Sequence, residues 1–350
     1  MTREAFVQRI NDSTLGAFDI ASTYLGVKLG LYRALADRGP ATAAELASRS
    51  STNERLVREW LEQQGASELL IATYDDDEWR FALPPEHADV LLDPDALDGV
   101  AGTMLSLVSD LVQLPRLVES FRTGEGIPYA EYGPDQAAGQ AMGTRPVYRA
   151  EIKGWFAAVP GVADRLAAGS ARVLDIGCGT GWSSVSIAQA YPGVTVDGVD
   201  LDPASIEAAQ RLAAVEGVTD QVRFELKNAA TLSGAGHDVA LMFEMLHDLA
   251  RPVEALRIAR EALGPDGVVL VADEPVADAY AGPADDEERR YYGWSLLHCL
   301  PASMSEPGSA ATGTLMRPDV LRRYASDAGF SDVEVLPVAS AAFRLYLLRP

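Results

Sequence analysis

The segment VLDIGCGTGW, residues 173–182, decides the fold. An apolar run contains Asp175 near its end, and Gly177, Gly179 and Gly181 then alternate before an apolar segment begins. Glycine lets a chain turn sharply and lets its backbone approach a ligand without a clash from a Cβ atom. The GxGxG spacing differs from the GxGxxG fingerprint of dinucleotide sites, and no Lys-Ser/Thr pair for a nucleoside triphosphate follows. The segment predicts a strand, a ligand-binding glycine turn and a helix.

The segments after this turn alternate between apolar strands and amphipathic helices. They read SSVSIAQAYP, VTVDGVD, PASIEAAQRLAAVEG, VRFELK, HDVALMFE, PVEALRIAREALGP and GVVLVAD. This alternation predicts an open parallel α/β sheet with helices on both faces, and SDVEVLPV and AAFRLYLL add two terminal strands. A stretch broken by Pro and Gly, residues 274–316, interrupts the pattern. We expect it to cover the site, because long segments inside compact domains are usually functional.

The N-terminal part of the chain predicts a winged helix-turn-helix. Residues 14–37 carry apolar residues at helical spacing on more than one face, which is typical of a helix in a core or at a subunit contact. Two short helices follow, and LLIATY and WRFALP form a hairpin around the acidic turn DDDE. Four carboxylates at the tip of the wing would repel a phosphate backbone, so a scaffold or dimerisation role is favoured over DNA binding.

Composition bounds the remaining function classes. The chain has 350 residues and a formal net charge of −22, which disfavours a nucleic-acid partner. Its apolar runs are shorter than the ~18–20 residues that a membrane helix needs, and its N-terminus, MTREAFVQRIND, does not resemble a secretory signal. Two cysteines without CxxC spacing favour a reducing, cytoplasmic setting, and no cluster shows the spacing of a metal site.

Polar residues after the second and third strands extend the site predicted at the glycine turn. Asp200 ends VTVDGVD, and a carboxylate there can accept hydrogen bonds from both hydroxyls of a ribose. Asn228 follows VRFELK, and its amide can meet the edge of an adenine. Other residues at the same edge of the sheet are expected to contribute to cofactor binding, namely Asp175, Leu201, Ala229, Phe243 and Glu244.

The order of these motifs resembles the class I S-adenosylmethionine-dependent methyltransferases, whose signature is DxGxGxG after the first strand and an acid after the second. The resemblance implies that Gly177 and Gly179 pass the methionine part of S-adenosylmethionine, and that S-adenosylhomocysteine is the product. It also implies that Asp200 holds the ribose and that Asn228 lies by the adenine. The family commonly has Asp at the Asn228 position, so this sequence departs from the pattern there.

With its winged helix, its LHD segment and the CLPxS segment at 299–303, the chain is similar to actinobacterial small-molecule O-methyltransferases. The resemblance implies an α/β protein with a Rossmann-like methyltransferase sheet. We expect a winged-helix dimerisation domain at 1–95, a helical connector at 96–168 and the cofactor-binding domain at 169–350. It also implies a homodimer formed through the N-terminal domain.

The segment MLHDLARP, residues 245–252, places His247 and Asp248 beyond a strand, at the edge where ligands bind in such sheets. Methyl transfer from a sulfonium is an in-line displacement that needs a positioned nucleophile and a group to take its proton. An imidazole with a pKa near ~6.5 can take the proton of a phenol with a pKa near ~10 as the transition state forms. We therefore assign His247 and Asp248 to the catalytic set.

The resemblance supports this role, because plant-type O-methyltransferases have a catalytic histidine in a corresponding HDW segment. Here Leu249 replaces the aromatic residue. The alternative is that His247 only ends the strand or caps the next helix. Successive side chains tend to point in different directions, so the partner that orients His247 could instead be Asp273, Glu274 or a residue of the cover.

The connector and the cover supply candidates for the acceptor pocket. Their aromatic residues suit a small apolar molecule, although each is equally typical of a core. The candidates are Tyr129, Tyr132, Tyr148, Trp155, Trp182, Tyr292, His298 and Met304.

The sequence favours a hydroxyl of an aromatic or polyketide-like molecule as the methyl acceptor. Two alternatives stay open: C- or N-methylation of a small molecule, and a methyltransferase fold that binds the cofactor without transferring its methyl group. Nucleic-acid methylation is disfavoured by the net charge and by the lack of an NPPY or DPPY motif.

Overall fold

The computed structural model describes four stretches of the chain, residues 1–159, 161–228, 236–340 and 342–350. The chain folds into two compact units. Unit 1 consists of Met1–Ser109 and Ala138–Pro146, and unit 2 of Asp110–Ala137 and Val147–Pro350. The segment predicted as a connector is therefore divided between the two units. Within the described stretches, no helix is long and apolar enough to cross a membrane.

Unit 1 contains the predicted winged helix-turn-helix. Its helices and strands are α1 (Arg3–Lys28), α2 (Leu31–Arg38), α3 (Ala43–Ser50), α4 (Glu54–Ala66), β1 (Ile71–Asp75), β2 (Glu78–Ala82), α5 (Pro85–Leu92) and most of α6 (Ala101–Val112). The helix predicted over 14–37 is two helices, because Gly30 between them takes a left-handed φ of 67°. The apolar faces of α2, α3 and α4 bury residues such as Leu35, Leu46 and Leu61 in one core.

Local sequence accounts for the helix starts and the hairpin of this unit. Thr42 and Glu45 form a reciprocal capping box at the start of α3. Strands β1 and β2 pair antiparallel, and the two residues that join them, Asp76 and Asp77, have positive φ angles of 49° and 64°. Such angles suit a two-residue hairpin turn, and Asp tolerates them better than most residues. The predicted acidic wing is therefore confirmed.

Unit 2 is built on a seven-stranded sheet in the order β5-β4-β3-β6-β7-β9-β8. The strands are β3 (Arg172–Ile176), β4 (Thr195–Asp200), β5 (Val222–Leu226), β6 (His237–Phe243), β7 (Leu263–Asp273), β8 (Asp332–Val335) and β9 (Arg344–Arg349). Strands β3 to β7 are parallel as predicted, whereas β9 pairs antiparallel with both β7 and β8. The sheet is therefore mixed rather than wholly parallel.

Helices cover both faces of this sheet, as the alternating pattern predicts. The helices assigned to unit 2 are α7 (Leu114–Thr123), most of α8 (Pro134–Ala157), α9 (Val162–Ala167), α10 (Trp182–Ala190), α11 (Pro203–Val215), α12 (Pro252–Glu261), α13 (Asp286–Trp294), α14 (Leu300–Ser303) and α15 (Pro318–Asp327). Neighbouring residues of β3 point into different cores: Val173 packs in one apolar cluster and Leu174 in the other. Both clusters are dry and apolar, which explains the continuous apolar strands.

The segment predicted as a cover, residues 274–316, is helical over residues 286–303, and the rest of it consists of turns, bends and irregular chain. Helix α13 runs into a π-helical turn, Ser295–Cys299, which continues into α14. A π-helical turn inside a longer helix is rare and often occurs at functional sites. This one carries His298, which the sequence marked as a candidate.

Candidate active site

The glycine turn after β3 depends on glycine for both conformation and space. Gly177 and Gly181 have left-handed φ angles of 70° and 91°. A Cβ atom added at Gly177 would lie 2.8 Å from Met245, and one added at Gly181 would lie 2.6 Å from Phe224. At Gly179 the same position is open space. The backbone of the turn is thus packed against the protein on two sides and accessible at its middle.

Asp175 anchors this turn from below. Its side chain is buried, and its Oδ2 accepts hydrogen bonds of 2.5 Å and 2.6 Å from the hydroxyls of Ser183 and Ser184 in the first turn of α10. Burial raises the pKa of Asp175 to about 6, although the two hydroxyls lower it. These contacts of Asp175 therefore hold the strand-to-helix connection together, and they support the glycine turn indirectly.

Asp200, at the end of β4, faces the same turn. Its Oδ2 accepts a hydrogen bond of 2.8 Å from the backbone N–H of Gly179, and its Oδ1 accepts one of 2.9 Å from Asp202. Burial raises the pKa of this carboxyl. A carboxylate oxygen has two acceptor positions, so each oxygen of Asp200 can still accept a hydrogen bond from a ligand.

The remaining residues predicted for cofactor binding differ in placement. Leu201 follows Asp200 with 59 % of its surface exposed, so it offers an apolar contact at this edge. Asn228 is exposed beyond the end of β5, and Ala229 lies outside the described residues. Phe243 ends β6, with its ring in the core. Glu244 follows with a left-handed φ of 52°, and such conformations in non-glycine residues cluster at functional sites.

His247 lies in a short 3-10 helix, Leu246–Asp248, directly beyond β6. Its side chain is 1 % exposed. The ring Nδ1 lies 3.1 Å from each carboxylate oxygen of Asp273, and Nε2 lies 3.3 Å from Oδ1 of Asp248. The backbone carbonyl of His247 accepts a hydrogen bond of 3.1 Å from Gly313 in the cover. Asp273, one of the orienting partners considered from sequence, is thus in contact with His247, and so is Asp248.

Carboxylates determine the protonation of this histidine. Burial by itself would lower the pKa of His247, but the negative charges of Asp273, Glu274 and Asp248 raise it well above its ordinary value. Burial also raises the pKa of Glu244 to about 7 and that of Glu274 well above its usual range. The imidazole is therefore a stronger base than an isolated histidine.

Side chains of metal-ligating types also meet at His247. The potential ligand atoms of His247, Asp248 and Cys299 lie within 4.8 Å of one another, as do those of His247, Asp273 and Glu274. The sequence spacing did not indicate either group. Burial raises the pKa of the Cys299 thiol, which disfavours the thiolate that binds metals.

Two of the predicted pocket residues lie in the core. Trp155 is 1 % exposed and Tyr148 is 6 % exposed, and both pack against Phe243 and Phe343. Ring-centroid distances in this cluster are 5.5–6.2 Å. Their spacing on α8 is that of a helix face packed on the sheet, so they support the floor of the site.

Three other predicted pocket residues meet at the π-helical turn. The ring of His298 lies edge-on to Tyr132 at 4.2 Å between centroids and to Tyr129 at 5.6 Å. The hydroxyl of Tyr132 donates to the carbonyl of Leu297 at 3.1 Å. His298 also lies against Asp110, a residue that the sequence analysis missed.

The last three predicted residues are half-buried. Trp182 begins α10 directly after the glycine turn, and Met304 follows α14. Tyr292 accepts a hydrogen bond of 3.0 Å from Arg317. Trp182 is thus placed beside the glycine turn, whereas Tyr292, in the cover, contacts Arg317, the residue that follows it.

Two family models match the chain. The model described as a methyltransferase domain matches residues 174–269, and the model described as an Rv2258c-like winged helix-turn-helix domain matches residues 20–92. The chain therefore contains a methyltransferase domain and a winged helix-turn-helix domain. The predicted fold class, a winged helix-turn-helix followed by a Rossmann-like methyltransferase sheet, is confirmed.

Comparison with individual proteins agrees with these domains. A ubiquinone biosynthesis O-methyltransferase of Caulobacter sp. (strain K31) is 37 % identical over 102 residues, which is 29 % of this chain and 40 % of that enzyme. The structure of mitomycin 7-O-methyltransferase MmcR superposes with a TM-score of 0.74, 22 % identity and coverage of 99 % of both chains. Human N-acetylserotonin methyltransferase in complex with SAM gives a TM-score of 0.74 and 16 % identity, covering 100 % of this chain and 98 % of the human one. The fold is shared over the whole chain.

Replacing Asp273 with Asn should lower the pKa of His247, because the carboxylate that opposes the effect of burial is removed. The measurement is an NMR titration of the histidine ring protons in wild-type protein and in D273N. The control is D278N, which removes an exposed carboxylate of the same unit. A His247 pKa that is equal in wild-type protein and D273N would contradict the electrostatic description.

Proposed function

We propose that this chain, which contains a methyltransferase domain, transfers a methyl group from S-adenosylmethionine to a hydroxyl of a small aromatic or polyketide-like molecule. The observation that carries the proposal is the position of His247. It lies beyond β6, and its neighbour Met245 packs on Gly177 of the glycine turn. A proton acceptor held by Asp273 therefore stands next to the turn that suits the cofactor.

The residues around the glycine turn fit S-adenosylmethionine. The accessible backbone at Gly179 and the spare acceptor positions of Asp200 can receive the methionine part and the ribose hydroxyls. Leu201 can pack on the adenine, whose edge Asn228 would meet. When bound, this cofactor supplies an electrophilic methyl group on a sulfonium. Human N-acetylserotonin methyltransferase, which shares the fold, was solved with SAM.

His247 would act as the general base. With Nδ1 facing Asp273, Nε2 is the ring nitrogen that can take the proton of the acceptor hydroxyl. S-adenosylmethionine would supply the methyl group to the hydroxyl oxygen, and S-adenosylhomocysteine would leave with the electron pair of the carbon–sulfur bond. Asp273 and Asp248 stabilise the imidazolium that forms. The raised pKa of His247 narrows the gap to a phenol near ~10, and each pK unit is worth ~1.36 kcal/mol.

The aromatic residues of the candidate site and the comparisons support the proposed acceptor class. Tyr129, Tyr132 and His298 present aromatic rings within unit 2, which suits a flat apolar molecule. The solved neighbour MmcR is a mitomycin 7-O-methyltransferase, and the Caulobacter relative is an O-methyltransferase of ubiquinone biosynthesis. These names favour oxygen as the methylated atom.

Cys178 and Cys299 are both free, which supports a reducing cytoplasm as the location of this activity.

We further propose a homodimer formed through unit 1. Helix α1 is 26 residues long, yet its large apolar side chains are exposed. The exposed apolar residues of α1 are Phe6, Val7, Ile10, Leu15, Phe18 and Leu25. An exposed apolar surface of this length marks an interaction site, and a second copy of the chain offers a matching one.

Asp200→Ala should weaken binding of S-adenosylhomocysteine by ~1.5–3 kcal/mol, because the ribose hydroxyls lose a charged acceptor. Isothermal titration calorimetry measures this change. Glu207→Ala, which removes an exposed carboxylate on α11, is the matched control. Equal affinity for a folded D200A variant would reject the ribose assignment.

His247→Ala should reduce methyl transfer by ~10²-fold or more, because the acceptor loses its general base. The assay follows labelled S-adenosylmethionine with a panel of phenols and catechols, and cofactor affinity should stay intact. In wild-type protein, kcat/KM should fall as the pH drops through the raised pKa of His247, because a protonated imidazole cannot accept a proton. His87→Ala in unit 1 is the control. Equal rates of methyl transfer by H247A and wild-type protein would contradict the general-base role and leave His247 with a structural role only.

The double substitution Leu15→Asp and Phe18→Asp should convert the proposed dimer into a monomer, because two charges would be buried without partners. Sedimentation velocity measures the change. Leu56→Asp is the control, since Leu56 lies in the same unit with 72 % of its surface exposed. A wild-type protein that sediments as a monomer at micromolar concentration would refute the proposal.

A further inference from the structure

Unit 2 contains a second buried histidine–carboxylate pair beside the π-helical turn. Nδ1 of His298 lies 3.1 Å from Oδ1 of Asp110, with the two side chains 2 % and 0 % exposed. Asp110 is an acid within the apolar helix AGTMLSLVSDLV. Burial raises its pKa, and the nearby His298 lowers it. Two ionisable groups are thus held together, away from solvent.

The pair leaves buried polar atoms unsatisfied. Among the described residues, neither ring nitrogen of His298 and neither carboxylate oxygen of Asp110 makes a hydrogen bond, although Nδ1 and Oδ1 lie 3.1 Å apart. Leaving a buried polar group without a partner is unfavourable, and native structures rarely do so without a reason. A pair that only joined two elements would be replaceable by apolar side chains. The open Nε2 therefore favours a polar partner outside the described residues of the chain.

The surroundings of His298 connect it to the candidate active site. Cys299, the next residue, has its Sγ within 4.8 Å of the ligand-type atoms of His247 and Asp248. Tyr129 packs edge-on against His298 and also lies near enough to Asp200 and Asp248 for their charges to raise its pKa further, beyond the larger effect of burial. His298 therefore lies close to His247 and Asp248, on the side of the candidate active site that includes Tyr129.

We infer that His298 and Asp110 form a second polar subsite, which binds a hydroxyl of the acceptor other than the one that is methylated. With its proton on Nδ1, beside the Asp110 carboxylate, His298 presents a lone pair on Nε2, and a hydroxyl can donate to it whereas a carbonyl cannot. Tyr129 and Tyr132 lie edge-on to the His298 ring and supply aromatic surface beside it. The acceptor class is then a di- or polyhydroxylated aromatic. This inference rests on the proposed function for the identity of the ligand.

The chemistry predicts discrimination between matched acceptors. A site that hydrogen-bonds a hydroxyl rejects the analogue that lacks it, because its buried polar group is then left unpaired. A dihydroxyaromatic should therefore exceed its monohydroxy counterpart on the same ring by about 10–100-fold in kcat/KM. Most of this difference should appear in KM, since His298 binds without touching the reacting atoms.

The experiment compares wild-type protein, His298→Phe and His298→Gln on pairs of dihydroxy- and monohydroxyaromatics, with labelled S-adenosylmethionine. In H298F, kcat/KM should fall for the dihydroxy compounds and stay unchanged for the monohydroxy compounds, so the preference is lost. H298Q should restore part of the preference. The control is His237→Phe. His237 is another buried histidine, at the start of β6, and its Nε2 lies 3.2 Å from Oδ2 of Asp197. H237F should keep the wild-type preference.

A second measurement separates this inference from the proposed function. Calorimetry of the same acceptor pairs, in the presence of S-adenosylhomocysteine, reports binding without turnover. If no acceptor is methylated but the dihydroxy compounds bind and H298F abolishes the difference, the proposed transfer fails and the subsite stands. A wild-type protein that does not distinguish the pairs in rate or affinity overturns the subsite, whatever the variants do. So does a folded H298F that retains the wild-type preference.

Discussion

The central place of β3 in the sheet is the constraint on which the site depends. Because β3 lies between β4 and β6, the connections on its two sides run in opposite directions and leave a crevice at the carboxyl ends of the strands. Asp175 fixes the geometry there, since its buried carboxylate ties the end of β3 to the first turn of α10. The glycine turn is thus held at the crevice, and the ends of β4, β6 and β7 bring Asp200, Glu244 and Asp273 to the same edge.

This convergence brings several carboxyl groups together, and the imidazole of His247 opposes their negative charge. Burying several like charges is unfavourable, so Glu244 and Glu274 have raised pKa values while His247 gains affinity for a proton. Asp273 is fully buried against His247, which leaves it paired rather than isolated. A proton that reaches His247 therefore creates no unpaired charge. The same acids that hold the ring in place make it a stronger base.

The sequence predicted the parts of this site that depend on local order. The glycine turn, Asp200 and His247 each follow a strand whose apolar run is visible in the sequence. The mixed pairing of β9 and the partner of His298 depend on long-range packing, which periodicity does not encode. As aromatic residues, Tyr148 and Trp155 are typical of a pocket, but their spacing is that of a helix face packed on a core. The structure places both in the core. Asp110 had one sequence signal, a single acid in an otherwise uncharged apolar helix.

Placing two histidine–carboxylate pairs in one unit addresses a requirement of in-line displacement. A single contact at His247 would leave a flat acceptor free to rotate about its hydroxyl, and attack along the carbon–sulfur axis would be infrequent. A second contact at His298 removes that rotation. The π-helical turn supports both points, because His298 meets Asp110 while the adjacent Cys299 lies beside His247. Under this proposal the cover would orient the acceptor, because the π-helical turn holds these two neighbouring side chains in different directions.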